Sequence, residues 1–274
     1  MSTPPLTVVS FNIRNGIAFD RLHSWPFWRR ATAQAIARLD GDLLGLQEVY
    51  AFQERYLMRS LGGYAAIGTG RDARGGGERC SVLYRRMRLR LEAARTRWLS
   101  DTPDVPGSCT WGNPLPRVAT LCRFVDEASG RPIGFANLHL DGASAASREC
   151  AAEALLSWLE PDTPWLVAGD LNEAPDGAAL RRLAAVGLRD LVAEQSRTSA
   201  ERQTTADDSG LPAEQAAHPV ATEHGFGKIT AGRRIDYVLA SGHWRLERAW
   251  VAQERVGTRL PSDHWPVAAR VSLL

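Results

Sequence analysis

The order of its apolar runs most constrains how this chain can fold. Leu6–Phe11, Leu43–Val49, Arg117–Val125, Ile133–Leu140, Trp165–Ala168, Ile235–Ala240, Trp244–Val251 and Trp265–Val271 each read as a short strand rich in Val, Leu and Ile. Cys80–Arg97 alternates like two strands of a hairpin. Helical spacing occurs only in Ala31–Leu39, Tyr50–Leu61, Ser147–Leu159 and Gly177–Val186, the second stopped by Gly62-Gly63. Many neighbouring strands therefore have no helix between them. A doubly wound parallel sheet needs a crossover helix at each step, so the order predicts an α+β layered sandwich.

The remaining stretches read as loops. One contains Trp25, Pro26 and Trp28, one carries Gly75-Gly76-Gly77, and Ser100–Pro116 holds four prolines. Thr198–Pro219 is polar and patternless, and is expected to be a surface loop. No linker divides the sequence, so one domain over residues 1–274 is expected.

Composition excludes several classes. No apolar run approaches the length of a membrane span, so no membrane partner is expected. The first ten residues lack the basic and apolar regions of an export signal, which points to the cytoplasm. Cys80, Cys109, Cys122 and Cys150 form no CxxC pair and no zinc spacing, so reduced, buried thiols are expected. The net charge of +2 supplies no strong basic field for duplex DNA. All basic residues except Lys228 are arginine, which reads as a compositional habit.

Polar residues sit repeatedly at the ends of these apolar runs. Asn12 follows Phe11, Glu48 lies near the end of Leu43–Val49, and Asn137 and His139 interrupt Ile133–Leu140. Asp170 and Asn172 follow Trp165–Ala168, Asp236 opens a run, and Asp263 and His264 precede the last one. Strand ends at one edge of a sandwich can converge on a pocket. These supply hard oxygen ligands for Mg²⁺ or Mn²⁺, histidines and no thiolate, which is the inventory for metal-assisted hydrolysis of a phosphate ester.

These motifs resemble those of the endonuclease/exonuclease/phosphatase superfamily over nearly the whole chain. The matching stretches are Ser10-Phe11-Asn12, Leu46-Gln47-Glu48-Val49, Pro116-Arg117-Val118-Ala119-Thr120, Asn137-Leu138-His139-Leu140-Asp141, Gly169-Asp170-Leu171-Asn172, Arg234-Ile235-Asp236-Tyr237 and Ser262-Asp263-His264-Trp265-Pro266-Val267. The resemblance implies a four-layer α/β/β/α sandwich with one site at its top. It implies Glu48 as the principal Mg²⁺ ligand, with Asn12 and Asp263 nearby. Asp170 would orient or deprotonate the attacking water, and Asn172 would bind the water or the phosphate. His264, oriented by Asp236, would contact the scissile phosphate. His139 would be the second phosphate-contacting histidine, and Arg117 would anchor the phosphate region.

Thr222-Glu223-His224-Gly225-Phe226 resembles a Thr-Phe-His-Gly-Phe stretch of a bacterial subgroup similar to deadenylases and nocturnin, with Glu223 as a departure. Gly77-Glu78 and Trp98–Pro103 resemble the same subgroup. His224, Asn137 and Glu78 join Arg117 as expected substrate-binding residues, with Glu78 alternatively a plain strand start. Arg14 stands where apurinic endonucleases carry an acidic residue, which argues against DNA repair.

The expected enzyme is a monomeric, cytoplasmic, Mg²⁺-dependent phosphoesterase. Its substrate would be a small nucleotide, a sugar phosphate or a single-stranded nucleic acid. The alternatives are a nuclease proper and a catalytically inactive binding module. His23, His218 and His243 read as ordinary surface residues, and Trp98, Trp158, Trp165 and Trp250 as core. Trp25, Trp28 and Trp111, placed on rim loops, either pack or stack on a base or sugar.

Overall fold

The computed structural model describes residues 4–206, 221–253 and 255–274. The chain runs through β1 (Leu6–Asn12), α1 (Trp25–Leu39), β2 (Leu43–Val49), α2 (Ala51–Ser60), β3 (Tyr64–Ile67), β4 (Arg79–Arg85) and β5 (Leu89–Trp98). It continues through β6 (Val118–Asp126), β7 (Arg131–His139), α3 (Ala145–Trp158), β8 (Trp165–Asp170), α4 (Ala178–Ala185), β9 (Arg189–Asp190) and α5 (Leu191–Ala206). It ends with β10 (Asp236–Ala240), β11 (Trp244–Val251) and β12 (Val267–Leu273). One sheet has the order β11-β12-β1-β2-β4-β3, the other β5-β6-β7-β8-β10-β9.

Strand periodicity explains the layers. In β1, Val8 points between the sheets, while Val9 and Phe11 point outward onto Trp25, Trp28 and Ile36 of α1 and Leu57 of α2. In β7 and β8, Phe135 and Leu166 point inward, while Ala136, Leu138 and Val167 face Ala151 and Leu155 of α3 and Leu180 and Leu183 of α4. Both faces of the central strands are buried, which is why they read as continuous apolar runs. The α/β/β/α sandwich is as the sequence implied. The sheets approach closely at Gly45, where a Cβ would fall 2.7 Å from Asn137 Oδ1 and 2.8 Å from Ala168 Cβ.

Several expectations need correction. Cys80–Arg97 is no hairpin: β4 pairs with β2 and β3, whereas β5 pairs with β6, so the turn at Arg86–Arg88 carries the chain between sheets. α1 starts at Trp25 with a proline in its first turn, where a missing N–H costs nothing. Strand β3 was not expected, and α5 occupies the first part of the expected Thr198–Pro219 loop. The rest of that loop, with His218, lies outside the described residues. Cys80 and Cys122 are buried, but Cys109 is exposed. Trp98 and Trp165 are buried, whereas Trp158 and Trp250 are only partly so. No helix among the described residues is long and apolar enough to cross a membrane.

Candidate active site

Register places the polar strand ends together. β1 and β2 are parallel, with Asn12 beside Gln47, so Asn12 and Glu48 leave the first sheet at one end. β12 runs antiparallel to β1, with Val267 opposite Ser10, so Ser262–Trp265 arrive at that end too. On the second sheet His139 is opposite Asp170 across β7 and β8, and Asp236 is opposite Asp170 across β8 and β10. Three chemical groups thus stand in one row.

Asn12 joins the halves. Its Nδ2 donates to Glu48 Oε1 at 3.0 Å and to Asp170 Oδ2 at 2.9 Å. Glu48 sits where the β2–β4 register is interrupted and takes φ 61°, which turns its carboxylate out of the ladder. Its Oε2 accepts from the Asn15 backbone N–H at 2.8 Å and from Asn15 Nδ2 at 3.2 Å. Burial opposes ionisation of Glu48, but the Asn12 amide, the charged His264 and Arg14 outweigh it and hold the carboxyl below the usual carboxylate range. Asp263 lies beside it, with Oδ2 3.5 Å from Arg14 Nη1. Burial, reinforced by Glu48 and opposed by His264 and Arg14, raises Asp263 above the usual carboxylate range.

Asp170 and the histidines differ in charge. Burial and the adjacent Asp236 push the Asp170 carboxyl up to about 7. His264 Nδ1 donates to Asp236 Oδ2 at 2.8 Å, and the Asp236 charge overcomes burial to hold the imidazole protonated. His139 is kept neutral by burial and by Arg117, with Nε2 3.1 Å from Asn172 Nδ2 and 3.7 Å from Asp170 Oδ2. Asn172 is left-handed at φ 48°, and its backbone N–H donates to Asp170 Oδ1 at 3.0 Å.

Two sets of residues are compatible with a metal ion. Asp170, Asp236 and His264 offer ligand atoms within 4.8 Å of one another. A protonated His264 already bonded to Asp236 is a poor ligand, however. The ionised Glu48, with Asp263 beside it, is the hard oxygen set that suits a divalent ion. Asn12 turns its Nδ2 to Glu48 and its Oδ1 to the Arg14 N–H, so it positions the carboxylate.

Arg117 is mostly buried, with Nε 3.5 Å from Asp141 Oδ2, and lines a narrow cleft with Glu48, Glu78, Arg71 and His139. Arg71, which sequence reasoning missed, donates to Glu78 at 2.6 Å. His224 packs against Trp265 in a tilted pair with ring centroids 4.2 Å apart, and neither ring nitrogen has a protein partner. Burial, aided by the His264 charge, lowers the His224 imidazole to about 4. Glu223, the departure from the subgroup pattern, pairs outward with Arg233 at 3.0 Å.

Asn137 is not where a substrate contact would be. It is fully buried between the sheets, where its Nδ2 donates to Leu46 O and Ser81 O, each at 2.9 Å, and its Oδ1 accepts from Gln47 at 2.7 Å. Its place on the inward face of β7 explains this. Sequence reading also missed Asn15 and Thr222. The Thr222 hydroxyl accepts from the Ile235 and Asp236 backbone N–H groups at 3.0 and 3.1 Å. Only the resemblance of Thr222–Phe226 signalled that segment.

A sequence model of the endonuclease/exonuclease/phosphatase family matches residues 9–264. The chain belongs to this family. Endonucleases, exonucleases and phosphatases all hydrolyse phosphate esters, which places the chain among phosphohydrolases. Among solved structures, a family protein from Bacteroides thetaiotaomicron is similar at 26% identity and TM-score 0.84, covering 98% of each chain. A mannosyl-6-phosphatase of Bacteroides thetaiotaomicron VPI-5482 is similar at 26% identity and TM-score 0.83, covering 98% of this chain and 100% of its own. The human Nocturnin catalytic domain shares the fold at 20% identity and TM-score 0.74, covering 100% of this chain and 95% of its own. Comparison with curated proteins gives no match.

Proposed function

We propose that this protein is a Mg²⁺- or Mn²⁺-dependent phosphoesterase that hydrolyses its substrate by in-line attack of water. The observation that carries the reading is the buried convergence of Asp170, Asp236, His139 and His264, with Asp170 Oδ2 2.9 Å from Asn12 Nδ2 and His264 Nδ1 2.8 Å from Asp236 Oδ2, which raises Asp170 and keeps His264 charged. One group near neutrality can take a proton while its neighbour holds positive charge, which is an acid–base division of labour.

Glu48 would hold the metal, with Asp263 beside it and Asn12 positioning its carboxylate. A divalent ion bound there supplies Lewis-acid neutralisation of the phosphate's non-bridging oxygens. Asp170 takes the proton of the attacking water and fixes its direction, with Asn172 holding the water or the phosphate beside it. The P–O ester bond opposite the water breaks, and the departing oxygen takes a proton from solvent. His264, kept charged by Asp236, donates to a phosphate oxygen as charge develops. His139 faces the phosphate from the other sheet, and Arg117 anchors it from the narrow cleft. Asn137 supports the site from beneath.

The mannosyl-6-phosphatase relative favours a small phosphate ester over a polymer. The test is hydrolysis of bis(p-nitrophenyl) phosphate and p-nitrophenyl phosphate with Mg²⁺, Mn²⁺ and EDTA, for wild type and Asp170→Asn. Metal-dependent cleavage of either, lost in the variant, supports the reading. Turnover that survives EDTA or Asp170→Asn would contradict it.

A further inference from the structure

A cleft of about 500 Å³ opens beside the site, and the mechanism above does not use it. That volume suits a small organic ligand. The buried Leu260 lines it, three residues before Asp263, and three residues span at most about 11 Å. Phe226, which also lines it, is two residues beyond His224, whose backbone N–H donates to Asp263 O at 2.9 Å. The wall bearing His23 is tied to the site through Asp20, which grips Arg14, which faces Asp263.

The lining is aromatic. His23 and Phe226 stack at 4.3 Å and 19°, and Trp28 lies 5.4 Å from Phe226. His23 is therefore part of a ring wall, not the isolated surface residue its sequence context suggests. Phe27, 51% exposed, also lines the cleft. Phe226 holds φ 56°, a strained conformation for a bulky residue of the kind that clusters at ligand sites. Trp28 is 2% exposed, yet its indole N–H has no acceptor. A buried donor without a protein partner is left for a ligand or a water to satisfy. Arg255 and Arg259 add positive charge.

We infer that this cleft binds the base of a nucleotide whose phosphate occupies the candidate active site. The inference rests on the phosphoesterase reading above and narrows its substrate class. A base offers a flat face to the rings and a carbonyl or ring nitrogen to the Trp28 N–H and the arginines, while its linked phosphate lies in the candidate active site. A hexose would present several hydroxyl donors. No Asp, Glu, Asn or Gln is among the described lining residues, and the Phe27 carbonyl already accepts from Arg259.

The test is calorimetric titration of the full chain carrying Asp170→Asn, which prevents turnover, with Mg²⁺ present. The probes are the four nucleoside 5′-monophosphates and ribose 5-phosphate, which shares their sugar and phosphate. At least one nucleotide binds about ten- to a hundredfold tighter than ribose 5-phosphate, as base stacking on aromatic side chains predicts. Adding Phe27→Ala or Trp28→Phe brings that nucleotide to within about threefold of ribose 5-phosphate and leaves ribose 5-phosphate unchanged. Equal affinities, tighter ribose 5-phosphate, no binding of any probe, or a preference that survives both substitutions would overturn the base site. Hydrolysis of bis(p-nitrophenyl) phosphate or p-nitrophenyl phosphate by wild type separates the two ideas. Turnover without a base preference rejects the cleft alone, and a base preference without turnover rejects the hydrolase alone.

Discussion

Asn137→Leu tests how the two halves of the site are held in register. Leucine keeps the branched four-atom outline of asparagine but carries no donor or acceptor, and its extra hydrogens leave no room for a replacement water. The substitution removes two donations from Nδ2, to Leu46 O and Ser81 O, and the bond accepted from Gln47. Gln47 Nε2 keeps Gly45 O at 3.1 Å and Ser10 Oγ at 3.3 Å, so the two carbonyls bear most of the loss. A buried hydrogen bond is worth about 1 kcal/mol net, and a stranded buried partner costs about 1–3 kcal/mol. The expected destabilisation is about 3–5 kcal/mol, a large share of the roughly 5–15 kcal/mol that holds a typical protein folded. Guanidinium unfolding at pH 7 measures it as a lower midpoint at unchanged slope. A loss below about 1 kcal/mol would mean that both carbonyls are satisfied within their own sheet, and the inter-sheet clamp would not be a stabilising feature.

Glu48→Ala should weaken Mg²⁺ binding at least tenfold by calorimetry and abolish metal-dependent turnover; unchanged binding would remove Glu48 from the metal site. Asp170→Asn should lower turnover at least a hundredfold while melting no lower than wild type, because it removes a buried like charge beside Asp236. His224 is held at about 4 when folded, against about 6.5 unfolded, so its stabilisation is present above pH 6.5 and is lost as pH falls toward 4. Between pH 7 and pH 5 wild type should therefore lose about 1–2 kcal/mol more than His224→Phe in paired denaturant titrations, after allowance for solvent screening; equal losses would show that the ring is free to charge. Asp236→Asn should leave His264 neutral at pH 7 and cut turnover over the whole neutral range, with the variant's histidine titration, read by NMR, shifted to lower pH.

The layered fold is legible because the central strands bury both faces. The site is legible because Glu48, Asp170, Asp236 and His264 sit where that apolar continuity ends. Sheet membership is not. The alternation of Cys80–Arg97 marks two strands, but a short turn joins strands within a sheet or across sheets equally well. Pro26 reads as a breaker until it is placed in a first helical turn, where no N–H is needed. Asn137 shares its strand with His139, and two residues on one strand face point the same way. Only the depth of each along β7 separates a buried clamp from a group at the edge, and sequence carries no depth. Asn15 and Thr222 act through backbone N–H groups or local caps, which leave no periodic trace.

The Asn12 amide touches a carboxylate from each sheet. Glu48, Asp263 and His264 arrive with one sheet, His139, Asp170 and Asp236 with the other, and neither group is complete alone. Catalysis therefore reports the docking of the sheets rather than the presence of either one. On gradual unfolding, turnover should vanish as soon as the layers part, while strand and helix signals persist. The enzyme carries a built-in gauge of its own tertiary assembly.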